Sequence, residues 1–424
     1  MSRPRHRRRR SQRMESGIFQ GRNPQTKSPR IASPTNYKRA LGVGLFLGAA
    51  LGLVWALSRR YNPETFQLID WDRVRRIALN VCRLRMTEEI SPTEKASHER
   101  IYSSLVDQVR PLVVQYTAAE NISPVALVHV LDRAEWIDAN IANYQLLFAS
   151  LEKIVRDSFL RRRSGPSIFT LTNRALASRY LGVLMGYLAS SVLGQYDPSL
   201  LGRELLTPGR LYFLESNIRI WQRRLALPLE EFRTWVALHE VTHAWQFEAH
   251  PWLRDYLNAQ LELYIQEIAR AQAGFSLRNL LERLSRLENI IRGEGNLIEL
   301  IITPKQREAL RRLQALMCII EGYGNHVMEK VASSLLPHYQ LIRSRFQKRI
   351  TAKSQAEKLF IKLTGLEVKL RQYIMGQAFV DQVVKKEGIT FMNEVWVGPA
   401  NLPTLQEIGH PELWIKRMKE RVEG

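Results

Sequence analysis

The chain has very few cysteines. Only Cys82 and Cys318 occur among its 424 residues, and they stand far apart. Neither belongs to a Cys-x-x-Cys pair, so the sequence excludes a disulfide framework and gives no sign of a thiolate metal site or a redox site. No internal repeat of about 20–50 residues is visible, so a repeat architecture is not indicated.

Residues 1–39 lack acidic side chains almost entirely and have few apolar ones. They hold 12 Lys and Arg residues against one acid, Glu15, and include the run RHRRRR at 5–10. Such a stretch cannot bury enough apolar surface to fold, which predicts a disordered basic tail. Much of the net charge of +21 sits in this tail, so the charge does not indicate a nucleic-acid-binding body. Because no aromatic residues interleave with the arginines, contact with lipid is favoured over nucleic acid.

Residues 40–58 lack any charge. The run ALGVGLFLGAALGLVWALS is 19 residues long, and a helix of that length spans about 28 Å, close to the hydrocarbon thickness of a bilayer. No clear signal-peptidase site follows, which favours a single transmembrane helix. Gly44, Gly48 and Gly52 form a stripe that would permit self-association in lipid. Since the N-terminal flank is the more basic, the tail is predicted to be cytoplasmic and the body to lie outside.

Residues 66–424 are predicted to form one mainly α-helical body. The segment 180–194 is too short for a second span and is predicted to be a buried helix. QYDPSLLG (195–202) is predicted to be a turn. LYFLESNI (211–218) is the best candidate for a strand, which would hold an extended peptide by main-chain pairing; a loop or helix start is the equal alternative. Amphipathic helices are predicted where apolar residues recur at intervals of three and four, at 69–85, 98–119, 135–159, 254–290, 304–336, 364–388 and 411–422.

The residues best suited to chemistry lie in WVALHEVTHAWQF, residues 235–247. On a helix, His239 and His243 share one face, where both imidazoles can reach one zinc ion. Glu240 points about 100° round the helix, beside the metal. There it can take a proton from a zinc-activated water and pass it to a leaving amine. We therefore predict Zn²⁺ as the cofactor and Glu240 as the general base; the alternative is a buried helix with two structural histidines.

A catalytic zinc needs a third protein ligand, and MCIIEGYGNHVMEKV (317–331) offers two candidates. Glu321 follows four apolar residues, which predicts burial, and buried acids are usually paired or metal-bound. His326 is the competitor. It lies about 140° from Glu321 on a helix, so the two are not expected to bind one ion. His326 and Tyr323 are further candidates for hydrogen bonding to the oxyanion of the transition state.

Several stretches of the chain together resemble the bacterial zincin-like ("zinicin-like") metallopeptidases, a zinc-dependent family. Some of its members are labelled as associated with coenzyme F420 biosynthesis. The resemblance implies a mostly helical zincin-like body, with His239, His243 and an acid such as Glu321 at the metal. The matching stretches cover nearly all of 66–424 in order: IDWDRV, DRAEWIDANI, YLGVLMGYLASSVLGQYDPSLL, LYFLESNI, FRTWVALHEVTHAWQFEAHPWLRDYL, EGYGNHVME, GLEVKLRQYIMGQAFV and NEVWVGPANLPTLQEIGHPELW.

These observations together predict a membrane-anchored zinc metallopeptidase acting on a peptide or protein substrate. The predicted divisions are a tail at 1–39, a span at 40–58 and a catalytic body at 66–424. The alternative is a non-catalytic binding or scaffold protein that retains a zinc site. Glu240 favours the enzyme, because no structural role requires a carboxylate beside a metal ligand.

Overall fold

The computed structural model describes residues 67–83, 90–118, 127–162, 168–197, 209–273, 304–351 and 366–423. Helices dominate these ranges, so the predicted mainly α fold class is confirmed. The elements are α1 (Trp71–Arg83), α2 (Pro92–Thr117), β1 (Leu127–Val130), α3 (Arg133–Arg162), α4 (Ile168–Ala189), β2 (Gly194–Asp197), β3 (Arg210–Phe213), α5 (Glu215–Leu225), α6 (Leu229–Glu248), α7 (Trp252–Ala273), α8 (Pro304–Leu335), α9 (Tyr339–Thr351), α10 (Leu366–Met392), α11 (Leu405–Gly409) and α12 (Pro411–Glu423).

The prediction of a single-pass membrane protein, with its tail cytoplasmic and its body outside, requires correction. Within the described ranges, no helix is both long enough and apolar enough to cross a bilayer. Even α4, which contains most of the apolar run at 180–194, carries Arg174 and Arg179. The predicted tail at 1–39 and the predicted span at 40–58, with its glycine stripe, lie outside the described residues.

The strands form a three-stranded sheet in the order β1-β3-β2. β3 pairs in parallel with β1 and antiparallel with β2. The strand predicted at 211–218 is therefore present only as Arg210–Phe213, and α5 begins at Glu215. Because β3 is central and both of its edges are paired, it cannot hold a peptide by strand addition, and that expectation is wrong. The predicted turn at 195–202 is also wrong at its start, since residues 194–197 form β2.

A buried ion-pair network fastens the start of α6 to its neighbours. The Glu215 carboxylate at the start of α5 is fully buried. It accepts hydrogen bonds from Arg233 of α6, from Arg219 Nε at 2.7 Å and from the Tyr102 hydroxyl of α2 at 2.7 Å. Burial alone raises the pKa of Glu215, but these three donors outweigh it and hold the pKa below its usual value. The network joins α2, α5 and α6 at a point where an unpaired charge would be costly.

Helix α8 lies between α6 on one side and α10 on another. It meets α10 where Gly322 faces Gly376. A Cβ atom on Gly322 would lie 2.2 Å from the Gly376 carbonyl carbon, and one on Gly376 would lie 1.9 Å from the Cys318 oxygen. Only glycine at both positions allows the two backbones to approach this closely. This contact sets how closely α8 lies against α10, and it therefore sets the position of Glu321 on α8.

Candidate metal centre

Helix α6 spans Leu229–Glu248 and confirms the helix predicted around 235–247. It starts after Pro228, and Glu230 and Glu231 lie in its first turn, where acids favour the positive end of the helix dipole. Pro251 follows its end and prevents the helix from continuing. The two histidines of the motif thus occupy a regular helix in the middle of the body.

The rings of His239 and His243 converge from successive turns of α6. Their Nε2 atoms are 3.1 Å apart, and the ring planes are nearly perpendicular, at 81°. Their neighbours Leu238 and Val241 are buried on other faces of the helix, while the two histidine side chains keep 16% and 12% of their surface exposed. Two nitrogens at this separation can serve one ion.

Glu321 of α8 completes the group, and its predicted burial is confirmed because only 9% of its surface is exposed. Its Oε2 atom lies 3.9 Å from the Nε2 atom of each histidine. Zinc bonds to nitrogen and oxygen are about 2.0–2.2 Å long, so two ligands of one ion can be at most about 4.2 Å apart. All three separations meet this limit. Two imidazoles and one carboxylate are also a donor set that suits catalytic zinc, so the residues present fit the ion.

Gly324 gives the His243 ring its space on the α8 side. A Cβ atom at this position would lie 3.0 Å from His243 Cε1, which is tighter than ordinary contact. Gly324 lies one turn beyond Glu321 on α8, so both face α6. The sequence EGYG therefore places the candidate ligand Glu321, and the space that the ring of the candidate ligand His243 occupies, on one face of the helix.

Glu240 is held against strand β2. Its Oε2 atom accepts a hydrogen bond of 2.9 Å from the main-chain N–H of Tyr196, and only 6% of the residue is exposed. Gly194 lies beneath the same side chain, because a Cβ atom there would come within 2.7 Å of Glu240 Cγ. The carboxylate is thus fixed in direction by an amide donor and seated over a glycine. The sequence pattern reveals neither partner, because it predicts a helix that ends at 194 and a turn at 195–202.

Tyr196 is also bound to α6 through its side chain. Its hydroxyl donates to Glu248 Oε1 at 2.5 Å, and the same oxygen accepts from the Gly209 N–H at 2.8 Å. Burial and the Glu248 carboxylate together raise the pKa of Tyr196 far above its usual value, so the phenol stays a donor. Strand β2 is therefore attached to α6 at two points, and one of these is Glu240.

Tyr323 and His326 lie on other faces of α8, about 200° and 140° round from Glu321. The Tyr323 hydroxyl donates to Asn393 Oδ1 at 2.6 Å, and its ring stacks on Trp245. His326 is engaged at both nitrogens, by Asp381 at 2.5 Å and by Tyr116 at 2.7 Å. Neither residue belongs to the group that His239, His243 and Glu321 form. Their predicted roles in hydrogen bonding to the oxyanion stay predictions.

A His-Glu-x-x-His helix joined by a buried acid from a second helix defines a metallohydrolase site of the zincin type. A family model described as zincin-like metallopeptidase matches residues 69–415 of this chain. The chain belongs to this zincin-like metallopeptidase family. The predicted resemblance and the predicted enzyme class, a zinc metallohydrolase, are both confirmed. The enzyme class argues against the alternative prediction, a non-catalytic scaffold protein.

One solved structure gives independent support. The chain is similar to a protein from Chloroflexus aurantiacus whose crystal structure is described as that of "a putative hydrolase with a novel fold". The two are 35% identical, the similarity covers 83% of this chain and 99% of the other, and the TM-score is 0.59. No curated protein matches the chain.

Proposed function

We propose that the chain is a zinc-dependent peptidase. His239, His243 and Glu321 would hold the ion, and Glu240 would serve as the general base. When bound, zinc supplies Lewis acidity that polarises the scissile carbonyl and lowers the pKa of water to about 7. The observation that carries the proposal is the meeting of the three donor atoms, contributed by two helices, within 4.8 Å of one another.

Glu240 moves the proton in this proposal. Its carboxylate accepts a proton from the water whose oxygen forms the new bond to the carbonyl carbon. The carboxyl then returns that proton to the amine nitrogen as the C–N bond breaks. The Tyr196 N–H keeps one carboxylate oxygen in a fixed direction throughout. Because the residue is buried, this orientation needs no rearrangement of solvent at the moment of reaction.

The substrate class is proposed from the family, whose description is that of a metallopeptidase. A peptide or protein supplies both groups that the mechanism requires, a carbonyl carbon for the attack and an amine as the leaving group. β3 is central in the sheet and is not available to hold such a chain. We therefore propose a peptide substrate without assigning to β3 the role that the sequence suggested.

The test is the substitution Glu240→Gln, which preserves the size of the side chain and removes its basicity. We expect one zinc per chain to remain, measured by elemental analysis, while hydrolysis of casein falls by about 100-fold or more. Glu230→Gln is the matched control, because Glu230 lies on the same helix with its side chain 71% exposed. Undiminished hydrolysis by Glu240→Gln would refute the assigned base. A wild-type chain that binds no zinc would refute the metal site.

A further inference from the structure

Gln246 occupies a position that links the two ligand-bearing helices. It lies on α6 one turn after His243 and is fully buried. Its Oε1 atom is 2.8 Å from His243 Nδ1, and its Nε2 atom donates to the Ile320 carbonyl of α8 at 2.9 Å. Ile320 immediately precedes Glu321. One amide side chain therefore contacts a metal-ligating histidine and the backbone beside the metal-ligating acid.

The two contacts together fix which way the Gln246 amide points. A carbonyl oxygen only accepts hydrogen bonds, so the group that faces Ile320 must be the NH₂ of Gln246. The opposite orientation would set two carbonyl oxygens against each other and leave both unsatisfied in the core. Oε1 is therefore the atom that faces His243, and it accepts a hydrogen bond.

This orientation decides the tautomer of His243. An acceptor at Nδ1 requires the proton of the neutral ring to be on Nδ1, which leaves the lone pair on Nε2. Nε2 is the atom that faces His239 and Glu321. A ring with its proton on Nε2 would present N–H to a metal ion and could not bind it.

We propose that Gln246 is a positioning residue of the metal centre. It sets the tautomer and ring orientation of His243, so that Nε2 is ready to bind zinc before the ion arrives. The inference rests on the proposed zinc function and goes beyond it, since it concerns a residue that touches neither the ion nor the substrate. Outer partners of metal-ligating histidines generally contribute about 10- to 100-fold to metal affinity.

The test uses the full-length protein and Zn²⁺, with affinity measured by competition against a chromophoric chelator. Gln246→Met keeps the length and volume of the side chain but has no strong acceptor. We expect its zinc dissociation constant to rise by about 10- to 100-fold. Gln246→Glu restores an oxygen acceptor toward Nδ1 and loses the bond to Ile320. We expect this variant to bind zinc within about threefold of the wild type, although its melting temperature falls.

Thr242→Val is the matched control for general damage to the helix. Thr242 is also fully buried on α6, and its hydroxyl donates to the Leu238 carbonyl. Its loss should lower stability and leave zinc affinity unchanged. Wild-type affinity in Gln246→Met, or equal weakening in Gln246→Met and Gln246→Glu, would overturn the proposal. A wild-type chain without zinc binding would instead refute the proposed function, so the two failures are distinguishable.

Discussion

Gly194 and Glu240 approach so closely that no side chain fits between them. A Cβ atom on Gly194 would lie 2.7 Å from Glu240 Cγ and 2.9 Å from Oε1. Two residues on, the Tyr196 N–H donates to the other carboxylate oxygen. The glycine makes room for the carboxylate, and the amide holds it. The direction of Glu240 thus depends on a strand that lies more than 40 residues earlier in the sequence.

The substitution Gly194→Ala should therefore impair hydrolysis without removing the metal. The new methyl group must displace the Glu240 side chain, and a misplacement of about 1 Å can cost about 100-fold in rate. We expect kcat/KM for a casein-derived peptide to fall by about that factor while zinc content stays at the wild-type level. Gly409→Ala is the control, because a Cβ atom there meets nothing within 4 Å. Full activity in Gly194→Ala would mean that Glu240 does not need its present position.

The identity of the third ligand can be tested with two variants of α8. Glu321→Gln keeps the shape of the side chain and loses its charge, so zinc affinity should fall by more than about 100-fold. This loss is larger than the loss expected for a residue that only hydrogen-bonds to a ligand. His326→Gln should leave zinc affinity unchanged, since His326 is bound to Tyr116 and Asp381. Chelator competition measures both, and Glu308→Gln on the exposed surface of α8 is the control. Loss of zinc from His326→Gln alone would reverse the assignment.

The buried network around Glu215 predicts a specific acid sensitivity. The pKa of Glu215 is lower in the folded protein than in the unfolded chain. Its contribution to stability is therefore complete above the unfolded pKa of about 4.3 and is lost as the pH falls through the folded value. The variant Glu215→Gln leaves Arg233 buried without its partner, so we expect it to lose about 3–5 kcal/mol of unfolding free energy at neutral pH.

Melting temperatures measured from pH 7 to pH 3 test this prediction. The wild type should lose stability steeply below about pH 4, and Glu215→Gln should show a shallower decline in the same window. Glu420→Gln, an exposed change of the same kind on α12, should reproduce the wild-type profile. Parallel profiles for the wild type and Glu215→Gln would show that another carboxylate controls acid unfolding.

Removal of the metal should loosen the contact between α6 and α8. Because zinc binds the folded state, it stabilises that state by about 2.7 kcal/mol at a free concentration 100 times its dissociation constant. We expect a chelator to lower the melting temperature of the wild type and excess Zn²⁺ to restore it. In Glu321→Gln, the chelator should have little further effect. A melting temperature that does not respond to the chelator would argue against an ion that bridges these helices.

The sequence predicts the metal centre well where the information is local. His239, Glu240 and His243 lie on one helix, and their spacing alone places both rings on one face. Glu321 is a candidate because an acid within an apolar run is expected to be buried, and the family resemblance favours it over His326. The structure brings His239, His243 and Glu321 together as that reasoning requires, while the role of each residue in catalysis stays a prediction.

The sequence could not predict the partners that fix this centre. In the sequence alone, nothing distinguishes Gln246 from other helical residues. Its role depends on a contact with Ile320, which is 74 positions away. Gly194 ends the run predicted to be a helix and Tyr196 lies in the predicted turn, whereas tertiary pairing with β3 places both in a strand. In each of these cases the local structure or contact is set by residues that are distant in sequence. A local sequence pattern cannot reveal it.

The contact between Gly322 and Gly376 limits which residues a relative of this enzyme can have at these two positions. Helix α10 carries none of the three proposed ligands, yet a single methyl group added to its surface at Gly376 would push α8, and Glu321 with it, away from its place. A relative that retains the same spacing of the two backbones must keep glycine on both sides. A relative that has lost either glycine must hold the two helices further apart, which would move the acid away from the two histidines.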